Sequence, residues 1–161
     1  MRWYNGDVDR NNKRYDGYVR LVKKSYPRDI KAVTSDGTLT DKPNTDCVGV
    51  YVGDGNRGFI IGKNNISSGT TYWDNSYRTN GVVSGVYATD SSTTAKTDYN
   101  GYANTQALVA LSSGGEAAKA CYNDTITIGG ETRHGYLGAC GEWDLAYGGG
   151  TNKAAIDSLM S

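Results

Sequence analysis

Between residues 47 and 62 the apolar side chains recur with period two, and this pattern constrains the chain more than any other. Val48, Val50 and Val52 alternate with Gly49 and Tyr51, and Phe59 and Ile61 alternate with Gly58 and Ile60. Between the two runs stands Gly53-Asp54-Gly55-Asn56, a cluster able to adopt the positive φ of tight turns. The spacing predicts an antiparallel hairpin. A phosphate-binding loop is excluded, because no Gly-Lys-Ser/Thr follows and no helix opens from the glycines.

A second feature with definite ends is His134 to Tyr147, HGYLGACGEWDLAY. A helix is expected to begin near Gly141 or Glu142, with Glu142 in the first turn, where a carboxylate is favoured by unpaired N–H groups. Trp143, Ala146 and Tyr147 share one face. Gly148-Gly149-Gly150 stops the helix. Trp143, with Tyr136 and Leu137, is expected in the core, packed against the 48–61 hairpin and a helix over 105–111.

Other elements follow from shorter signals. Val82 to Tyr87 reads as a strand. Asn104 or Thr105 is expected to cap the helix through Gln106, Leu108, Val109 and Leu111, and Glu116 to Cys121 adds a helical turn or two. Thr125 to Ile128 and Glu131 to Tyr136 form a second hairpin around Gly129-Gly130. A last helix, capped by Thr151 or Asn152, carries Ala155, Ile156 and Leu159 as an apolar stripe that nothing later in the sequence covers.

Composition restricts the function. The 161 residues include 22 Gly, 13 Tyr, three Trp and one Phe, with 37% hydrophobic residues, a profile unlike a helical bundle. Seventeen basic and 17 acidic residues leave no net charge, which argues against a nucleic-acid protein. No stretch reaches the roughly 20 apolar residues of a membrane span, and Met1-Arg2-Trp3 leads into polar residues, without a signal-peptide core. Residues 1–40 hold nine Lys/Arg against five Asp, a net of +4. Aromatic and basic residues interleave there: Arg2, Trp3, Tyr4, Arg14, Tyr15, Tyr18 and Arg20. Residues 1–46 therefore read as an extended arm for assembly, ahead of a domain over 47–161; a small β-subdomain is the alternative. Tyr18 to Lys24 has strand character within it.

Cys47, Cys121 and Cys140 fit no metal spacing, and a lone His134 cannot supply a ligand cluster, so no metal and no cofactor are expected. Cys121 and Cys140 flank the second hairpin and are the pair considered for a bridge; buried free thiols are the default. His134 is expected to be structural. An enzyme is not expected.

The segment GYLGACGEW resembles the Gly-Tyr-Leu-Pro-Ser-x-Gly-Glu-Trp/Leu segment of C-type-lectin-like domains from gut Bacteroidetes surface proteins and their crAss-like phages. CVGVYVGDGNRGFIIGKN, YWDNS, DSSTTAKTDYNGYANTQAL, CYN with its hairpin, and NKAAIDSLM follow in the same order, so the resemblance covers roughly residues 47 to 160. Gly138-Ala139 departs from the family's Pro-Ser and removes a serine able to cap the helix. The family continues into further strands; this sequence is either a shortened variant or the front of a longer one. The resemblance implies an α+β, C-type-lectin-like fold with β-hairpins and two to three short helices. It implies a non-enzymatic virion component, a head- or tail-fibre or decoration subunit for assembly or host adhesion. The alternative is a bacterial surface or secreted module that binds glycan or protein. Implied partners are capsid or tail proteins and a host-surface glycan, with Trp73, Asp74 and Tyr77 as ligand-facing candidates; the aromatic, basic arm and the Ile156/Leu159 stripe favour assembly with sister copies, as a trimer. Trp73-Asp74-Asn75 only scrambles the calcium-lectin triplet Trp-Asn-Asp. The cysteine motif of formylglycine-generating relatives is not matched by Cys121 and Cys140.

Overall fold

A computed structural model describes residues 3–4, 7–8, 29–64, 66, 83–112, 114–148 and 150–161. Among them the chain is α+β, with thirteen elements. The strands are β1 (Trp3–Tyr4), β2 (Asp7–Val8), β3 (Ile30–Thr34), β4 (Leu39–Thr40), β5 (Cys47–Gly53), β6 (Gly58–Gly62), β7 (Thr125–Ile128) and β8 (Glu131–His134). The helices are α1 (Ser92–Ala95), α2 (Gly101–Val109), α3 (Glu116–Asn123), α4 (Cys140–Tyr147) and α5 (Thr151–Met160). None of these helices is long and apolar enough to cross a membrane.

The central element is a four-stranded antiparallel sheet in the order β4-β3-β5-β6. The expected hairpin is its β5–β6 half, with Val50 opposite Ile61 and Val52 opposite Phe59. Asp54 closes its turn by accepting the N–H groups of Asn56 and Arg57 at 2.8 and 2.9 Å, and Gly55 sits at φ +88°. At the turn the Arg57 guanidinium lies 3.7 Å from the centre of the Tyr99 ring.

Residues 29–46 are built into this sheet. β3 pairs with β5 from Ile30–Val52 to Thr34–Cys47, and Ala32 and Val33 are fully buried. The sequence predicts an extended arm or a small β-subdomain over residues 1–46; its 30–34 part is instead a strand of the central sheet. This strand holds only three apolar residues in a row of five: Ile30 stays half-buried, and Ala32 is covered by α4 and α5. The β3–β4 turn is held by Asp36, which accepts the Thr34 hydroxyl at 2.6 Å and the Thr38 N–H at 2.9 Å.

One face of the sheet, with Ala32, Val50 and Val52, meets Ala146 of α4 and Ile156 and Leu159 of α5. Ile156 is wholly buried, worth roughly 1.5–3 kcal/mol of transfer free energy. The stripe expected to lie uncovered is therefore covered by the sheet, except for Ala155, which is exposed.

Trp143 departs from expectation most sharply, being 47% exposed. The inward face of α4 consists of Gly141, Glu142 and Ala146, and position 143 lies about 100° further round the helix. Its indole stacks on Tyr147, ring centres 5.4 Å apart, and lies over Gly138. Tyr136 and Leu137 are half-buried. Residues 83–87 form no strand; α2 begins at Gly101 behind Asn100, and α5 behind Gly150 at φ +80°. The β7–β8 hairpin turns on Gly129-Gly130 as expected.

Candidate functional site

The corner where the 96–101 segment, α2 and the 135–142 segment meet concentrates the buried polar groups. Glu142, at the third position of α4, turns its carboxylate back: one oxygen accepts the Ala139 N–H at 2.8 Å, the other the Tyr136 hydroxyl at 3.1 Å. This is half of a capping box, since Ala139 has no side-chain acceptor to return the bond. The Gly101 N–H opening α2 also favours this carboxylate, and a Cβ on Gly101 would collide with it. One side chain thus serves two helix N-termini.

Asp98 performs the parallel task nearby. Its carboxylate accepts the Asn100 N–H at 2.9 Å and the Asn104 amide at 2.7 Å. Its carbonyl takes the Gly141 N–H at 2.8 Å, so close an approach that only glycine fits there. Thr105, fully buried in α2, accepts the Leu137 N–H at 2.9 Å. Lys96 ion-pairs with Asp144 of α4 at 2.7 Å.

Burial raises the Glu142 carboxyl above its ordinary value, aided by the Asp98 charge and opposed by the bonds from Ala139 and Tyr136. Burial, then the neighbouring Glu142 charge and hydrogen bond, hold the Tyr136 hydroxyl well above the usual tyrosine range. Tyr136 is therefore a permanent donor.

Beside this corner lies a cleft of about 380 Å³ between the 86–90 segment, α2 and residues 137–140. Asp98, Thr105 and Leu108 line it, with Tyr87 and Cys140 exposed at its rim. A second cleft of about 390 Å³ runs along the seam between sheet and helices, past Ile30, Val52, Leu145 and Asn152. The cleft at Asp98 is the better candidate for a ligand, because it holds both a buried carboxylate and an exposed aromatic ring. Both oxygens of that carboxylate are already engaged, and no His or carboxylate is hydrogen-bonded to the Cys140 thiol among the described residues. No group of three or more His, Cys, Asp or Glu could hold a metal among the described residues.

Several sequence candidates lie outside the described residues: Arg2, Arg14, Tyr15, Tyr18, Arg20, Trp73, Asp74 and Tyr77. For Trp3 and Tyr4 the backbone alone is described, paired with Val8 and Asp7. His134 is exposed on β8, stacked on Tyr122 with ring centres 4.2 Å apart, and its Nδ1 lies 2.8 Å from the Tyr122 carbonyl. All three cysteines are free; only Cys47 is buried, and Cys140 is exposed.

Asp98 escaped the sequence reading. Its signal was an Asp two residues before Asn100-Gly101, the pattern of a side chain bonding the backbone two residues on. Asn104 and Thr105, expected to cap the helix, sit inside it and bond outward instead.

Comparison with protein-family models, with curated proteins and with solved structures gave no match to this chain.

Proposed function

We propose that this chain is a non-enzymatic component of a phage virion. Its role is that of a head- or tail-fibre or decoration subunit whose C-type-lectin-like domain serves assembly or adhesion to a host surface. The order of sequence motifs over residues 47 to 160 is the starting point. The observation that carries the reading is the fate of GYLGACGEW. Its buried acid and its phenol, Glu142 and Tyr136, are bonded to one another, and Glu142 also to the Ala139 N–H, within the same segment, while Cys140 stays exposed. The segment that carries the resemblance thus acts as a fold-holding corner, which suits a scaffold whose partners bind on exposed surfaces. Partners on this reading are capsid or tail proteins, copies of the chain itself, and a host-surface glycan.

Mass spectrometry of purified particles from the genome that encodes the chain tests this. The chain is expected at a fixed copy number per particle, retained through a density gradient. Recovery from the envelope fraction of the cell with none in particles would overturn the reading and favour the bacterial surface module.

A further inference from the structure

The outward face of α4 deepens the adhesive side of the proposed function. Trp143, the largest side chain on that helix, is 47% exposed, so the core gains little from it. Its indole is nonetheless held in place. It stacks on Tyr147 with 21° between the planes and ring centres 5.4 Å apart, so the rings are offset and part of each face stays open. Tyr147 in turn packs against the central core. The indole nitrogen lies over Gly138, where a Cβ would come within 2.9 Å of it. The two rings form an aromatic shelf that is fixed before any ligand arrives, which lowers the ordering cost of binding.

The indole N–H and the Tyr147 hydroxyl have no hydrogen-bond partner among the described residues. Charged pairs border the shelf. Lys96 bonds Asp144, the neighbour of Trp143, at 2.7 Å, with side chains 53% and 38% exposed. Lys153 pairs with Asp157 on α5 and lies within electrostatic reach of the Tyr147 hydroxyl. Size and chemistry decide what fits here. A Trp or Tyr removes about 150–250 Å² from water when fully buried, and part of both rings is already covered. The open area is far below the roughly 800 Å² per partner of a standard protein interface. Widening the contact to that size would bury the bordering ion pairs, whose desolvation is costly. A pyranose ring needs no more than the shelf offers. Its C–H groups lie on the negative face of the π system, and its hydroxyls replace water at the ring edges and exposed charges. Lys96, Asp144, Lys153 and Asp157 are balanced in pairs, which favours a neutral sugar over a uronate or sialate.

We propose that Trp143 and Tyr147 form a carbohydrate subsite for a neutral hexopyranose. The sugar stacks on the indole, one of its oxygens accepts the indole N–H, and its hydroxyls bond Asp144 and Lys96. The contact uses no metal ion. A host surface as the source of the sugar rests on the proposed function; the stacking itself does not. One or two sugar units on so small a shelf bind weakly, with Kd about millimolar.

Titration of the isotope-labelled full chain with cellotriose, mannotriose, galactotriose and triacetylchitotriose, in the presence of a chelator, tests the subsite. The readout is the indole N–H resonances of the three tryptophans, with Trp143→Phe assigning the one that belongs to Trp143. At least one of these sugars should shift that resonance saturably, while the Trp3 and Trp73 signals stay in place. Trp143→Ala should raise Kd about tenfold or more, followed by saturation transfer to the sugar. Its thermal melt should stay close to the native one, showing that the fold survives. Binding of none of these sugars at concentrations well above millimolar overturns the subsite, as does binding that survives Trp143→Ala or that is confined to an acidic sugar such as sialyllactose. Trp143-dependent self-association or capsid binding without a sugar response overturns it in favour of a protein docking face. None of these results bears on whether the chain is found in virions.

Discussion

The Tyr136 hydroxyl meets the Glu142 carboxylate at 3.1 Å, across a corner that the same carboxylate caps. Two residues six apart thereby lock a turn onto the helix that follows it. Their burial adds a pH dependence of definite sign.

Glu142→Ala leaves the Tyr136 hydroxyl and the Ala139 N–H without their acceptor, and should cost about 3 kcal/mol. The folded carboxyl is raised above its ordinary value of 4.5, so the folded state holds this proton more tightly than the unfolded chain does. The resulting stability is fully present below 4.5 and is lost as pH rises through the folded value. Urea melts of the native chain and of Glu142→Gln, at pH values on both sides of 4.5, should show the native chain losing ground to the variant as pH rises. Parallel curves would contradict this.

Asp36 has the opposite sign. The Thr34 hydroxyl, then the N–H and hydroxyl of Thr38, hold its carboxyl below the ordinary 3.8. Its contribution is present above 3.8 and disappears as pH falls through the folded value. Asp36→Asn should therefore flatten the acid limb of the stability profile and leave the neutral limb parallel to the native one. A variant that keeps the native acid limb would show that the Thr34 and Thr38 bonds carry no linkage.

Trp143→Ala should be mild, about 1 kcal/mol or less, because the side chain is half in water and its main contact is Tyr147. Ile156→Ala, smaller in volume change, should cost roughly 2–5 kcal/mol. Denaturant midpoints of the two variants decide between this order and its reverse.

The contrast between these two positions shows what was legible in the sequence. Both hairpins were, because Gly55 and Gly129-Gly130 mark turns and the period-two alternation between them is local. The existence of α4 and the place of Glu142 in its first turn were also readable, since capping acts within four residues. Trp143 was misplaced because periodicity gives a face but not its neighbour. The face that packs is the small one: Gly141 sits against the Asp98 carbonyl and Ala146 against the central sheet. β3 was hidden for a related reason. Ile-Lys-Ala-Val-Thr is a modest strand alone and gains its ladder from β5 and its cover from α5, which no local signal announces. The Asp98 corner depends on three segments converging, so its polar residues looked like ordinary loop and cap residues.

The central structural claim is that Ile30–Thr34 is a strand of the central sheet, with Ala32 and Val33 in its buried part. Native-state amide hydrogen exchange on the full chain tests it most directly. The amides of Ile30–Thr34 should be protected to within about tenfold of those of Val50 and Val52, because strands of one cooperative sheet open together. Exchange of Ile30–Thr34 at the rate of free chain, while β5 stays protected, would contradict the account.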